Sequence, residues 1–382
     1  MFERDIFTSD HNLHRDSVRR FVDEHISPHH AQWEKDGQVS REAWQLAGQH
    51  GLLCATVPET WGGAGADFLS SIVVLEELAR AGASGPGFYL HSDIVAPYIV
   101  HYGSDALKAH WLPKMISGEA IGAIGMTEPS AGSDLQNIRT SAIRDGDDYL
   151  ISGQKVFITN GQLCDFIILA CKTDPNAGGR GVSLILVEAD RPGFSRGRNL
   201  EKIGWKAQDT SELFFDKIRV PASNLLGAEG RGFIQLMEQL PQERLIQAVR
   251  AIAVIESALD QTIAYTTQRS AFGRPIAGFQ NTRFKLADVK SQAVMMRVFV
   301  DKCLTMHLAG KLDAVDAAIV KLLSAEMMGR LLDECLQLFG GYGYMWEYPV
   351  ARSWADARMA RIAGGTAEIM REIIGRSLVG KG

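Results

Sequence analysis

Apolar positions along the chain change their spacing twice. Up to residue 118 they recur at helical intervals: Ile72, Leu75 and Leu78 line one face of the stretch Phe68 to Ala81, and Ile94 to Tyr102 carries a similar face. Gly-rich breaks such as Trp61 to Asp67 separate these helices. Between residues 119 and 230 the pattern shortens to apolar and β-branched runs. Val156 to Thr159, Phe166 to Lys172, Val182 to Glu188 and Leu213 to Val220 predict strands. Asp145-Gly146 predicts a hairpin turn and Asp174 to Gly181 an exposed loop, so an antiparallel barrel or sandwich is expected. From residue 231 long helical patterns return. Leu245, Ala248, Ile252, Ile255 and Leu259 form one seam; Leu286, Val289, Ala293, Met296, Val300 and Cys303 form another. Gly310 and Gly340-Gly341 mark helix ends, and Thr366 is placed to cap a last helix running to about Leu378. The expected class is α+β: an N-terminal α-helical domain over 1–118, a middle β-barrel or sandwich domain over 119–230, and a C-terminal four-helix bundle over 231–382.

Composition narrows the function. With 382 residues, 46% hydrophobic and 22% charged, the chain is long enough for several domains and a large core. No apolar run approaches the roughly 20 residues that span a bilayer, so no membrane insertion is expected. A net charge of −5 offers phosphodiester backbones no broad attraction, and nucleic acid is not expected as a partner. The five cysteines are scattered without a C-x-x-C spacing and read as small core residues. His25, His29 and His30 lack a companion carboxylate pattern and read as surface residues, so no metal site is expected. The N-terminal segment mixes both charge signs without an apolar signal core, which points to a cytoplasmic protein. G-x-G-x-x-G, G-x-x-x-x-G-K-[ST] and H-E-x-x-H are all absent.

One segment concentrates chemistry. Met126-Thr127-Glu128-Pro129-Ser130-Ala131-Gly132-Ser133-Asp134 brings hydroxyls, backbone amides and a flexible glycine to the start of the β region, a composition suited to wrapping a polar heterocycle. Its bland reading is a loop that satisfies its own backbone through Ser133 and Asp134. Three further segments have bland readings too: Phe157-Ile158-Thr159-Asn160-Gly161 as a strand, Arg269-Ser270-Ala271-Phe272-Gly273 as a turn, and Gln337-Leu338-Phe339-Gly340-Gly341 as a helix end.

Together, and over essentially the whole chain, these segments resemble the acyl-CoA dehydrogenase family. The resemblance implies FAD as cofactor and an acyl-CoA as substrate. It assigns Met126 and Thr127 to flavin contacts and Ser133 to both flavin and acyl-CoA. Phe157, where the family often has tryptophan, would cover the flavin, and Thr159 would donate a hydrogen bond to its N5. Arg269 and Phe272 of an R-x-x-F-G motif, Gln280, Gln337 and Gly341 would reach the cofactor of a neighbouring subunit, which implies a homotetramer built from dimers. Thr366 and Glu368 match further flavin-contact positions. The implied electron acceptor is electron-transferring flavoprotein.

The base departs from the common family pattern. Many members carry a glutamate just before a Gly-Thr pair, but here Ala363-Gly364-Gly365-Thr366 places Gly364 at that position, where it cannot take a proton. The long-chain and isovaleryl branches move the glutamate onto a bundle helix, and Leu240-Pro241-Gln242-Glu243-Arg244-Leu245 resembles that arrangement. Tyr344-Met345-Trp346-Glu347-Tyr348-Pro349 and Gly364-Gly365-Thr366 also resemble the long-chain branch. Glu243 is therefore the expected catalytic base, in an early helical turn after Pro241, with Arg244, Gly364 and Gly365 on the substrate. The expected reaction removes hydrogen from Cα and Cβ of a medium, long or branched acyl thioester. Two alternatives stay open from the residues: an oxygen-using flavin oxidase or monooxygenase on the same fold, and a non-catalytic acyl-CoA-binding protein, the latter motivated by Gly364.

Overall fold

The computed structural model describes residues 4–380. The N-terminal part is helical: α1 (Ser9–Phe21), α2 (Ser27–Asp36), α3 (Arg41–Gln49), α4 (Phe68–Arg80), α5 (Phe88–Leu90), α6 (Ala96–Tyr102) and α7 (Asp105–Ile116). Thr8, Ser40, Asp67 and Ser104 start α1, α3, α4 and α7 by accepting hydrogen bonds from first-turn amides. The helix expected over Ile94 to Tyr102 is split, because His91–Val95 forms a π turn before α6. That wider turn holds the Asp93 carbonyl 2.7 Å from Gln242 Nε2 of the bundle. His30, expected on the surface, is buried and accepts a hydrogen bond from the Gly85 amide.

Seven strands follow: β1 (Gly122–Gly125), β2 (Ser141–Asp145), β3 (Asp148–Thr159), β4 (Phe166–Lys172), β5 (Val182–Glu188), β6 (Phe194–Asn199) and β7 (Thr210–Pro221). They make one sheet in the order β1-β4-β2-β3-β7-β6, with β5 beside β4. The Asp145-Gly146 hairpin is present: Asp145 pairs with Asp148 across a two-residue turn, and Gly146 has φ +62°. The antiparallel expectation is corrected in part, because β1 and β2 both run parallel to β4. The β2–β3 hairpin supplies the crossover that a parallel β1–β4 pairing needs. β4 and β5 are buried on both faces. Phe166, Ile168 and Leu184 face the core shared with the helices, while Ile167, Leu169 and Ile185 face the interior of the curled sheet.

The C-terminal part contains α8 (Gly232–Gln268), a small hairpin of β8 (Ser270–Ala271) and β9 (Arg274–Pro275), then α9 (Gln280–Leu308), α10 (Ala314–Leu338), α11 (Pro349–Ala357) and α12 (Ala367–Val379). The seam residues Leu245, Ala248, Ile252, Ile255 and Leu259 are all buried, as are Val289, Met296, Val300 and Cys303. Thr366 caps α12 by accepting from the Ile369 amide. Pro241 is not at a helix start. α8 begins at Gly232 and continues through the proline, so Glu243 sits well inside the helix rather than in its first turn. The missing Pro241 amide costs one helical hydrogen bond, and buried Leu236, Leu240 and Leu245 hold the helix together across it. No helix among the described residues is long and apolar enough to cross a membrane.

The sheet is fastened to the bundle at Trp205. Its amide donates to Asp356 Oδ1 of α11, and its indole Nε1 donates to the Asp356 carbonyl at 3.2 Å. Gly204 makes this approach possible, since a Cβ there would stand 2.6 Å from Asp356 Oδ1 and 2.7 Å from the Ala355 main chain. Gly204→Ala is therefore expected to destabilise the protein by about 1–3 kcal/mol. Calorimetry should show a lowered unfolding temperature, and an unchanged one would mean that this fastening is dispensable.

Candidate active site

Glu243 is buried, and Tyr98 of α6 donates a hydrogen bond to its Oε1 at 3.0 Å. Burial pushes the carboxyl pKa up to about 7, against the opposing pull of the Tyr98 hydroxyl and the adjacent Arg244. The helix macrodipole is not involved, because the residue lies mid-helix. Arg244 is also buried, its pKa lowered by burial and partly restored by Glu243, and its Nε meets no protein partner among the described residues.

The glycine at the vacated base position is close by. A Cβ on Gly364 would touch Gln247 Cγ at 3.6 Å, and Gln247 lies one helical turn beyond Glu243 on the same face. Gly364 and Gly365 both have positive φ, +66° and +96°, which lets this segment turn tightly over α8. Lys321 of α10, completely buried, donates to the Gly365 carbonyl; burial and the nearby Arg244 bring its pKa down to about 8. The structure thus gathers Glu243, Arg244, Gly364 and Gly365 in one place and adds Tyr98, Gln247 and Lys321. Glu368, exposed in the first turn of α12, lies outside that enclosure but near enough to Lys321 to act on it electrostatically.

Met126, Thr127 and Ser133 lie on the loop after β1, which a buried ion pair shapes. Lys155 of β3 donates to Glu128 Oε1 at 2.8 Å and to the Met126 carbonyl at 3.0 Å, and Glu128 also accepts from the Arg139 and Thr140 amides. Burial alone would raise the Glu128 pKa; Lys155 and the two amides outweigh it and lower it. The Val156 amide donates to the Thr127 carbonyl at 3.0 Å, tying the loop to β3. Just beyond, the β3–β7 register shifts between Lys155 and Ile158, a bulge that places Phe157 at φ +62°. Its ring is turned outward, 64% exposed, beside half-buried Thr159. Met126 and Ala131 pack into the same core as Tyr98, Ile246 and Ala248, linking this loop to the Glu243 helix.

Arg269, Phe272, Gln280, Gln337 and Gly341 form a separate group at the other end of α8. Arg269 lies over the Tyr342 ring at 5.7 Å, and Tyr265 stacks on Phe339 with centroids 4.2 Å apart. At 1.5 Å per residue this end of the helix is roughly 39 Å from Glu243. One chain cannot close both groups around a single isoalloxazine ring. The first group fits a flavin by its donor set. The Gly132 and Ser133 amides meet no protein acceptor among the described residues, and an aromatic ring stands exposed beside a hydroxyl. A surface cleft of about 490 Å³ beside His110, Trp111 and Asp165 contains none of these residues.

Comparison with known proteins places the fold in a family. Family models match in three consecutive stretches: acyl-CoA dehydrogenase N-terminal domain over residues 8–119, middle domain over 123–218 and C-terminal domain over 230–379. The chain is 50% identical to the mitochondrial long-chain specific acyl-CoA dehydrogenase of Sus scrofa over 378 residues, covering 98% of this chain and 88% of that protein. A crystal structure of an acyl-CoA dehydrogenase from Geobacillus kaustophilus superposes with a TM-score of 0.97 at 47% identity, covering 99% of this chain and 100% of the other. Glutaryl-CoA dehydrogenase from Mycobacterium smegmatis, solved in complex with FADH2, superposes with a TM-score of 0.91 at 30% identity, covering 98% and 96%. The chain belongs to the acyl-CoA dehydrogenase family and is an enzyme of the oxidoreductase class.

Sequence reasoning missed Tyr98, Lys155 and Lys321. Tyr98 reads as one more apolar position of a helix, and a lysine inside a strand gives no sign that it will be buried on a glutamate in the preceding loop. Two predictions follow from the Glu243 environment. Tyr98→Phe removes a donor that favours the carboxylate, so the acidic limb of the pH profile of kcat/KM, expected near pH 7, should move to higher pH; an unmoved limb contradicts the contact. Because folding raises the Glu243 pKa, the folded state holds a proton that the unfolded chain releases, and stability falls as pH climbs towards 7. Glu243→Gln should therefore raise the unfolding temperature relative to the parent more at pH 8 than at pH 5, and equal shifts at both pH values would contradict it.

Proposed function

We propose that this enzyme removes a proton from Cα and a hydride from Cβ of an acyl-CoA, giving a trans-2-enoyl-CoA, with Glu243 as base and FAD as cofactor. The observation that carries this reading is a buried carboxyl with a pKa near 7, one helical turn along α8 from Gln247, against which the glycine at the common base position packs. A thioester α-proton is weakly acidic, and a base poised near neutrality is ionised often enough to take it and basic enough to hold it. Tyr98 keeps one carboxylate oxygen fixed, which leaves the other for the substrate. Arg244, with an unpartnered Nε, and Gly365, fixed by Lys321, line the approach. The small residues Ala363 and Gly364 leave room for medium, long or branched acyl chains.

Bound FAD supplies the hydride acceptor. Met126, Thr127, Ser133, Phe157 and Thr159 would hold its isoalloxazine from this chain, with Thr366 and Glu368 as further contacts. Arg269, Phe272, Gln280, Gln337 and Gly341 would serve a neighbouring subunit's cofactor. The Phe272 ring is 96% exposed, a placement that calls for cover from another surface and supports a homotetramer. The proposed division into domains is 1–118, 119–230 and 231–382, and the proposed electron acceptor is electron-transferring flavoprotein.

The test is anaerobic titration of the purified flavoenzyme with acyl-CoAs of graded length and branching, followed by the visible flavin spectrum. Bleaching is expected with the parent enzyme. Glu243→Gln is expected to keep its FAD and reduce it at least about 10²–10⁴-fold more slowly. Full-rate bleaching by Glu243→Gln would remove Glu243 from the reaction.

A further inference from the structure

Arg250 of α8 is 7% exposed, and its guanidinium carbon lies over the Trp205 ring, 3.7 Å from the centroid. Among the described residues it makes no hydrogen bond and no ion pair. Stacking on an indole favours a cation but uses only the faces of the group, leaving the five N–H donors at its edge without acceptors. Arg297 shows how this chain treats a structural arginine: equally buried, it reaches Glu76 at 2.7 Å and Glu256 at 3.0 Å. Asp356 is near enough to act on Arg250 electrostatically, but its Oδ1 is taken by the Trp205 amide. A second buried donor close by is also unused. Gln208 and Gln247 both lie within reach of the Tyr89 hydroxyl, and Gln208 Nε2 makes no hydrogen bond of ordinary geometry. Tyr89 and Trp205 meet edge to face with centroids 6.5 Å apart, so these residues surround one spot.

That spot lies on the same face of α8 as the site already described. Glu243, Gln247 and Arg250 occupy positions i, i+4 and i+7 of α8, one face of the helix. At 1.5 Å per residue Arg250 is about 10 Å further along the axis than Glu243, and helical side chains lean towards the N-terminus, back towards Glu243. An acyl chain with its reacting carbons beside Glu243 would, if it ran along this face, end at the guanidinium. Two unused donors, one of them permanently charged, ask for an anionic oxygen acceptor, and a methyl end would leave them buried and unpaired.

We propose that the acyl group carries a carboxylate at its far end, so that the substrate is the CoA monothioester of a dicarboxylic acid, with Arg250 and Gln208 binding the distal carboxylate. This rests on the dehydrogenase reading above and specifies its substrate class. The planar fork of arginine suits a carboxylate, and the enclosed, Trp-lined setting strengthens the pairing.

The experiment compares kcat/KM for straight-chain acyl-CoAs with that for ω-carboxyacyl-CoAs of equal backbone length, in the parent holoenzyme and in Arg250→Gln and Arg250→Lys. The parent is expected to favour the best ω-carboxyacyl-CoA at least about tenfold over its unsubstituted counterpart. Arg250→Gln should abolish or invert that ratio, and Arg250→Lys should leave part of it. The parent comparison needs no variant and stands if either variant fails to fold. A parent that prefers the unsubstituted chains, or a ratio unchanged in a folded, FAD-containing variant, overturns this assignment and leaves the dehydrogenase reading intact. If neither series reduces the flavin, both fall.

Discussion

Taking one carboxyl group out of water, and still leaving it able to ionise, is the constraint around which this site is built. Burial drives the Glu243 pKa upward, and without compensation the group would stay neutral. The Tyr98 hydroxyl and the charge of Arg244 return part of that shift, so the carboxyl ends near neutrality rather than far above it. Each compensating group then has to be placed by the fold. Tyr98 is brought up by the π turn before α6, and Arg244 follows Glu243 directly on α8. The same helix continues past a proline, because apolar packing on either side of Pro241 outweighs the hydrogen bond it loses.

The middle sheet solves a related problem. A loop with unpaired amides cannot rely on its own backbone for rigidity, and here the rigidity comes from beneath it. The Lys155–Glu128 pair is completely enclosed, with side-chain exposures of 0% and 3%. Removing one partner of such a pair strands a buried charge, which is costly, so the pair fixes the loop more firmly than surface contacts would. The adjacent bulge turns Phe157 outward while leaving Thr159 beside it. Loop, bulge and strand end therefore present one face as a unit.

Much of this was legible in the sequence. β4 and β5 match their apolar runs residue for residue, the two bundle seams are buried apart from half-buried Leu286, and Thr366 caps the last helix, because each depends on local pattern. Glu243 as the proposed base was singled out only through family resemblance, since in isolation it looks like any helical carboxylate. What pattern could not carry was set by distant contacts. The parallel β1–β4 pairing depends on where the chain enters the sheet, and β6, half polar and exposed, has no apolar signal. His30 is buried by the Gly85 backbone, and Pro241 lies inside α8 because buried neighbours keep the helix intact. Tyr98, Lys155 and Arg250 are meaningful only by what they meet, or fail to meet, across the fold.

The central claim is that Glu243 is a buried carboxyl held near neutrality. Infrared difference spectroscopy of the parent against Glu243→Gln, recorded across a pH series, observes that group directly. A protonated-carboxyl band that disappears with a midpoint near pH 7 is the predicted result. A midpoint near 4, as for a carboxylate in water, would contradict the account.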